Sequence, residues 1–169
     1  AARIALLGFT IMTGGGPGIM EAANKGAREA GGRSVGCNIV LPHEQHHNPY
    51  LDKWVNIKFF FVRKTLLLKY SYAFVVMPGG FGTLDEYFEA LTLIQTKMIA
   101  EFPIVIFDKA FHQQLLAHIE VLKQQGTIAG DDSKYYLVTD SVDEAVAYIQ
   151  QNSIVKFKLQ PAGPHKPFR

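Results

Sequence analysis

Tyr72-Ala73-Phe74-Val75-Val76-Met77-Pro78-Gly79-Gly80-Phe81-Gly82-Thr83-Leu84-Asp85-Glu86 runs from an apolar segment through a glycine cluster into the start of a long helix. Residues 72–77 are continuously apolar and do not alternate, which reads as a strand buried on both faces. Pro78-Gly79-Gly80 closes the strand, and residues 83–98 read as the helix. The same order occurs upstream. Residues 9–13 form a short apolar strand, Gly14-Gly15-Gly16 follows, and an amphipathic helix begins at Pro17 and ends at Gly31-Gly32. Proline suits a first helical turn, where its missing N–H costs nothing, and glycine suits a helix stop. Working outward, residues 34–40, 55–61, 103–107 and 137–139 read as further strands, and 63–70, 111–125 and 142–151 as helices. This alternation predicts an α/β fold, a Rossmann-like doubly wound parallel sheet in a single domain over residues 1–155. Residues 156–169 are basic with three prolines and read as an irregular tail. Residues 1–8 look like the end of a helix, so the first strand of the sheet is expected to be missing from this chain.

Composition narrows the function classes. The chain has 169 residues, 48% of them hydrophobic and 12% aromatic, which excludes a disordered chain and suffices for one core. A net charge of +2 gives no reason to expect nucleic acid as a partner. No apolar run reaches membrane-spanning length, so no membrane partner is expected. The single cysteine, Cys37, excludes an intrachain disulfide or a thiolate zinc cluster, and points to a cytoplasmic setting. It falls in a strand and reads as an inert buried thiol.

Both glycine clusters follow a strand and open a helix, where parallel sheets place their ligands. Glycines let backbone N–H groups approach a ligand, and a helix start adds partial positive charge. An anion such as phosphate can be held there without a cationic side chain. The first cluster is neither a dinucleotide fingerprint nor a P-loop, because the G-x-G-x-x-G spacing fails and no Gly-Lys-Ser/Thr follows. One such turn could be purely structural, but two in a small chain are harder to read that way. Thr83-x-x-Glu86 also has the spacing of a capping box, with Thr83 as N-cap and Glu86 at the third helical position. Arg63-Lys64 places two cations at the expected start of a helix, against its dipole, which points to a neighbouring anion or electron-rich ring.

Taken together, Gly14-Gly15-Gly16-Pro17-Gly18-Ile19-Met20, Arg63-Lys64 and Pro78-Gly79-Gly80-Phe81-Gly82-Thr83-Leu84-Asp85-Glu86 resemble the Lonely Guy family. Its members are cytokinin-activating phosphoribohydrolases, long described as lysine decarboxylases. The resemblance runs from about residue 8 to about residue 139, and the loop Leu41-Pro42-His43-Glu44-Gln45 resembles the bacterial branch. It implies hydrolysis of the N-glycosidic bond of a nucleoside 5′-monophosphate, AMP or a cytokinin riboside monophosphate, to free base and ribose 5-phosphate. It further implies Arg63 and Glu86 as the catalytic pair, and Gly79, Gly80, Gly82 and Thr83 as the phosphate site. Gly14, Gly15, Gly16, Met20 and Lys64 would be additional substrate contacts. The implied partners are a small-molecule nucleotide and a second copy of the chain, in a homodimer or higher homo-oligomer. Leu66, Leu67, Leu68, Tyr70, Tyr72, Phe88, Leu91, Leu93 and Ile94 are the apolar residues expected to supply that interface.

Other readings compete. A carrier or sensor of a phosphorylated ligand, such as a molybdenum-cofactor carrier, needs the same phosphate turns but no carboxylate beside them. His43-Glu44-Gln45-His46-His47 spells the H-E-x-x-H zinc pattern, but Pro42 before it and Asn48-Pro49 after it leave no room for the helix that pattern needs. No metal is expected. Pyridoxal chemistry needs a Schiff-base lysine, and no lysine stands out, so no cofactor is expected either. Met12, Met20 and Met77 read as core or pocket wall.

Overall fold

The computed structural model describes residues 1–41 and 46–160. Residues 42–45, which hold most of the H-E-x-x-H pattern, and 161–169 lie outside the described residues. The elements are, in order, α1 (Ala2–Leu6), β1 (Ile11–Thr13), α2 (Ile19–Glu29), β2 (Ser34–Ile39), β3 (Lys53–Ile57), α3 (Phe60–Lys69), β4 (Phe74–Val76), α4 (Phe81–Gln95), β5 (Ile104–Phe107), α5 (Lys109–Gln124), a 3₁₀ turn (Asp132–Tyr135), β6 (Tyr136–Thr139), α6 (Val142–Ile149) and a π-helical turn (Gln150–Val155). All strand pairings among the described residues are parallel, although β4, expected to be buried on both faces, leaves Val75 38% exposed.

The chain divides into two units, one built on Ala1–Tyr70 and one on Ser71–Lys158. In the first, the sheet order is β1-β2-β3, with Met12 opposite Val35 and Cys37 opposite Val55. Cys37 is buried, as its strand position suggests. In the second, the order is β4-β5-β6, with Val105 between Val75 and Leu137. Its middle strand supplies the centre of the core: Ile104, Val105 and Ile106 are all 0% exposed. Tyr87, Ala90 and Ile94 of α4 and Ile149 of α6 are also fully buried. The positions 87, 90 and 94 fall on one helical face, the periodicity that lets a helix cover a sheet.

Several boundaries differ from expectation. Phe59-Phe60-Phe61, expected as the end of β3, turns the chain into α3 instead. The expectation rested on aromatic β-propensity, which is a matter of packing. Phe60 and Phe61 are 54% and 70% exposed, so no sheet face holds them. Pro17 stands before α2 and not in its first turn, because Gly18 is the N-cap with φ 69°. Beyond α6 the helical backbone continues through the π turn to Phe157, so the irregular tail begins later than residue 156.

Tyr87 carries the one polar atom at the heart of this helix face. Burial, with the neighbouring Tyr136, pushes its phenol above the usual tyrosine range, so it stays protonated. No described group accepts its proton. A buried hydroxyl without a partner costs on the order of 1 kcal/mol or more. Tyr87→Phe is therefore expected to raise the stability by about 1 kcal/mol, read as a higher urea midpoint at unchanged slope; a lower midpoint would show that the hydroxyl is bonded.

Candidate functional site

Five helices of the two units, α2 to α6, follow on parallel strands, and their first turns fall into two kinds. Asp108 caps α5 by accepting from Phe111 N at 3.0 Å, and Ser141 caps α6 by accepting from Glu144 N at 3.3 Å. The helices α2, α3 and α4 begin on Gly18, Phe59 and Gly80, and none has a side-chain cap. A side-chain cap is worth about 0.5–2 kcal/mol, which these helices forgo. Two of the three, α2 and α4, follow the glycine clusters.

In the first unit, Gly15 and Gly18 have φ of 77° and 69°, a region that favours glycine. Gly14 and Gly16 are glycine for a different reason. A Cβ on Gly14 would lie 2.6 Å from Arg63 Nη2 and 2.8 Å from Met20 Sδ, and one on Gly16 would lie 2.7 Å from Met20 Cε. Met20 and the Arg63 guanidinium thus lie directly on this turn. Arg63 is held there by its Nε, which donates to the Cys37 carbonyl of β2 at 3.0 Å. The helix α3 starts at Phe60, so Arg63 and Lys64 sit about a turn inside it and not at its first residues as expected. Both are half-buried.

In the second unit, α4 starts at Phe81, two residues earlier than expected, and this removes the capping box. Gly80 is the N-cap, Thr83 lies within the first turn, and Glu86 lies a turn further on. Thr83 N and Leu84 N both bond the Gly80 carbonyl at 3.1 Å, so the Thr83 N–H is already used. The helix start leaves the N–H groups of Phe81 and Gly82 without an intrahelical acceptor. The Thr83 hydroxyl lies on Gly79, where any Cβ would overlap it. Gly80 and Gly82 differ: a Cβ at either meets no described atom within 4 Å, and neither has a positive φ. The fold gives no steric reason for glycine at these two positions. The Phe81 ring between them is 94% exposed. Glu86 is half-buried.

The structure thus joins Gly14, Gly16, Met20 and Arg63 in the first unit, and Gly79, Gly80, Gly82 and Thr83 in the second. It also reveals residues that sequence reasoning missed. Asn24 and Asn48 are buried beneath the first turn, bonded to each other at 2.9 Å. An asparagine on the buried side of an amphipathic helix was the available signal, since asparagine is a weak helix former. Among the described residues no group of three or more His, Cys, Asp or Glu could hold a metal ion. No helix among them is long and apolar enough to cross a membrane.

Comparison with known proteins follows the same lines. The profile of the family described as "Possible lysine decarboxylase" matches residues 20–149. A cytokinin riboside 5'-monophosphate phosphoribohydrolase of Mycobacterium tuberculosis is 33% identical over 150 residues, covering 86% of this chain and 79% of that protein. One from Mycobacterium marinum is 29% identical, with the same two coverages. Among solved structures, the molybdenum cofactor carrier protein of Chlamydomonas reinhardtii superposes with a TM-score of 0.64 at 26% identity, covering 89% of this chain and 81% of that one.

The contrast among the glycines is testable by stability alone. Gly82→Ala is expected to stabilise the protein by about 0.5–1 kcal/mol, because alanine is the better helix former and meets nothing. Gly79→Ala is expected to cost about 1 kcal/mol or more, because Thr83 must move. Thermal midpoints of the two variants falling in the opposite order would contradict the geometry.

Proposed function

The chain belongs to the Lonely Guy family, described as possible lysine decarboxylases, and from that premise we propose that it hydrolyses the N-glycosidic bond of a nucleoside 5′-monophosphate. AMP or a cytokinin riboside monophosphate is the substrate class, and the products are free base and ribose 5-phosphate. The observation that carries the reading is the pair of glycines, Gly80 and Gly82, for which the fold has no steric use, at a helix start without a side-chain cap. A ligand that approaches the backbone closely accounts for both, and a helix start favours an anion. The names of the relatives support phosphoribohydrolase chemistry.

In this reading the 5′-phosphate accepts from the N–H groups of Gly80, Phe81 and Gly82. The Thr83 hydroxyl, seated on Gly79, is a further donor within the same turn. As the bond from the anomeric carbon to the base nitrogen breaks, positive charge grows on the ribose. Glu86 is the carboxylate that stabilises this charge or orients the water. The water oxygen bonds to the anomeric carbon and gives up a proton, and the departing base nitrogen gains one. Arg63, fixed by the Cys37 carbonyl and covered with Met20 on the glycines, is the second catalytic residue of the proposal. Lys64 and the first glycine turn add substrate contacts.

A second reading has an observation of its own in the likeness to a molybdenum cofactor carrier. A carrier would bind a phosphate-bearing ligand at the same turns and release it unchanged. Glu86 favours hydrolysis, because a carboxylate repels a phosphate that is only to be held.

The reading includes a homodimer or higher oligomer. Leu68 and Ile94, two of the expected interface residues, are buried in their own units, but Tyr70, Tyr72 and Phe88 are 63%, 49% and 38% exposed. Exposed aromatic area of this kind supports a partner copy.

Two outcomes are expected. Glu86→Gln should fold as the parent does and lose base release, because the change removes a charge and little volume. AMP should exceed adenosine by at least about a hundredfold in kcat/KM, since each lost donor partner costs about 1–3 kcal/mol and each 1.4 kcal/mol is tenfold. Equal rates for AMP and adenosine, measured by chromatography of the released base, would make the turns merely structural.

A further inference from the structure

Beneath the first glycine turn lies a set of buried polar side chains that the reading above does not use. Asn24, Ser34 and Asn48 are 0%, 0% and 4% exposed. They come from three separate pieces of chain: Asn24 from α2, Ser34 from the start of β2, and Asn48 from the segment before β3. Asn24 Nδ2 donates to Ser34 Oγ at 2.8 Å. Asn24 Oδ1 accepts from Thr13 Oγ1 at 2.7 Å and from Asn48 Nδ2 at 2.9 Å. Asn48 Nδ2 also donates to the Gly16 carbonyl at 3.1 Å, and the Asn48 backbone N–H donates to the Gly15 carbonyl at 2.8 Å. Asn48 Oδ1 accepts from Tyr50 N at 3.1 Å. The Thr13 hydroxyl, donating to Asn24, accepts from Gly15 N at 2.9 Å. In both asparagines the amide oxygen accepts and the amide nitrogen donates, which fixes the orientation of both amides.

The consequence lies in the peptide between Gly15 and Gly16. No peptide bond in the described chain is cis. In a planar trans peptide the carbonyl and the N–H point to opposite sides. With the Gly15 carbonyl turned onto Asn48, the Gly16 N–H points away from Asn48. Glycines on both sides would let this peptide rotate at little cost. The Asn48 backbone N–H holds it, and the Asn48 side chain, bonded to the Gly16 carbonyl and to Asn24, keeps that backbone in place.

We propose that Asn48, locked in place by Asn24, is a positioning residue that fixes the Gly16 N–H as a hydrogen-bond donor to an oxygen of the bound nucleotide. The inference rests on the nucleotide reading of the site. It assigns to the first turn one defined donor, and to two buried asparagines the task of aiming it. Neither asparagine touches the ligand.

The test follows amide resonances of the ¹⁵N-labelled full chain during titration with AMP, in a Glu86→Gln background so that AMP is not consumed. The Gly16, Gly82 and Thr83 resonances are expected to shift. Adding Asn48→Ala removes the side-chain anchor of the backbone at residue 48, and should leave the Gly82 and Thr83 shifts in place and weaken that of Gly16. With Glu86 intact, Asn48→Ala should raise KM for AMP about tenfold while kcat changes little, the signature of lost ground-state binding. If Asn48→Ala does not fold, Asn24→Ser, which leaves Asn48 its own bonds to the turn, should weaken the Gly16 response in the same direction. Gly82 and Thr83 shifting without Gly16, or Gly16 responding equally in the variant, would overturn the proposal and spare the nucleotide reading. No shift at any of the three amides would overturn both.

Discussion

The first turn of every α-helix contains backbone N–H groups that no preceding turn can satisfy. How the chain disposes of these donors differs from one helix to the next. After β5 and β6 they are absorbed by the side chains of Asp108 and Ser141. After the two glycine clusters the N-caps are Gly18 and Gly80, which have no side chain to offer them. Asp108 takes its cap even at a φ of 77°, an unfavourable backbone for a non-glycine residue, which shows how much a side-chain cap is worth here.

The glycines of the two turns serve different ends. Gly15 and Gly18 are needed for their backbone angles, Gly14 and Gly16 because Met20 and Arg63 lie on them, and Gly79 because Thr83 folds over it. Only Gly80 and Gly82 are unexplained by the protein's own atoms. The first turn is therefore a braced surface, supported below by asparagines and covered above by an arginine and a methionine. At the second, the N–H groups of Phe81 and Gly82 have no intrahelical acceptor.

Much of this was legible in the sequence. The continuous apolar strands gave the parallel α/β class, and the glycine clusters marked both turns before any coordinates. The family followed from Gly14–Met20, Arg63-Lys64 and Pro78–Glu86, and the family profile agrees. What could not be read was the exact start of each helix, since Gly-Phe-Gly-Thr and Phe-Phe-Phe carry no periodicity. That uncertainty made Thr83 look like a cap, and made Phe59–Phe61 look like a strand. The asparagine brace was invisible for another reason. Its bonds join residues 13, 24, 34 and 48, and no local pattern reports a hydrogen bond between distant side chains.

Hydrolysis and carriage of a phosphorylated ligand differ in one observable, the fate of the ligand. The decisive measurement incubates the purified chain with AMP and quantifies all products by ³¹P and ¹H NMR. The account predicts adenine and ribose 5-phosphate in equal amounts, growing with time through many turnovers. Adenosine with inorganic phosphate, or AMP recovered intact after prolonged incubation with active-concentration protein, would contradict it.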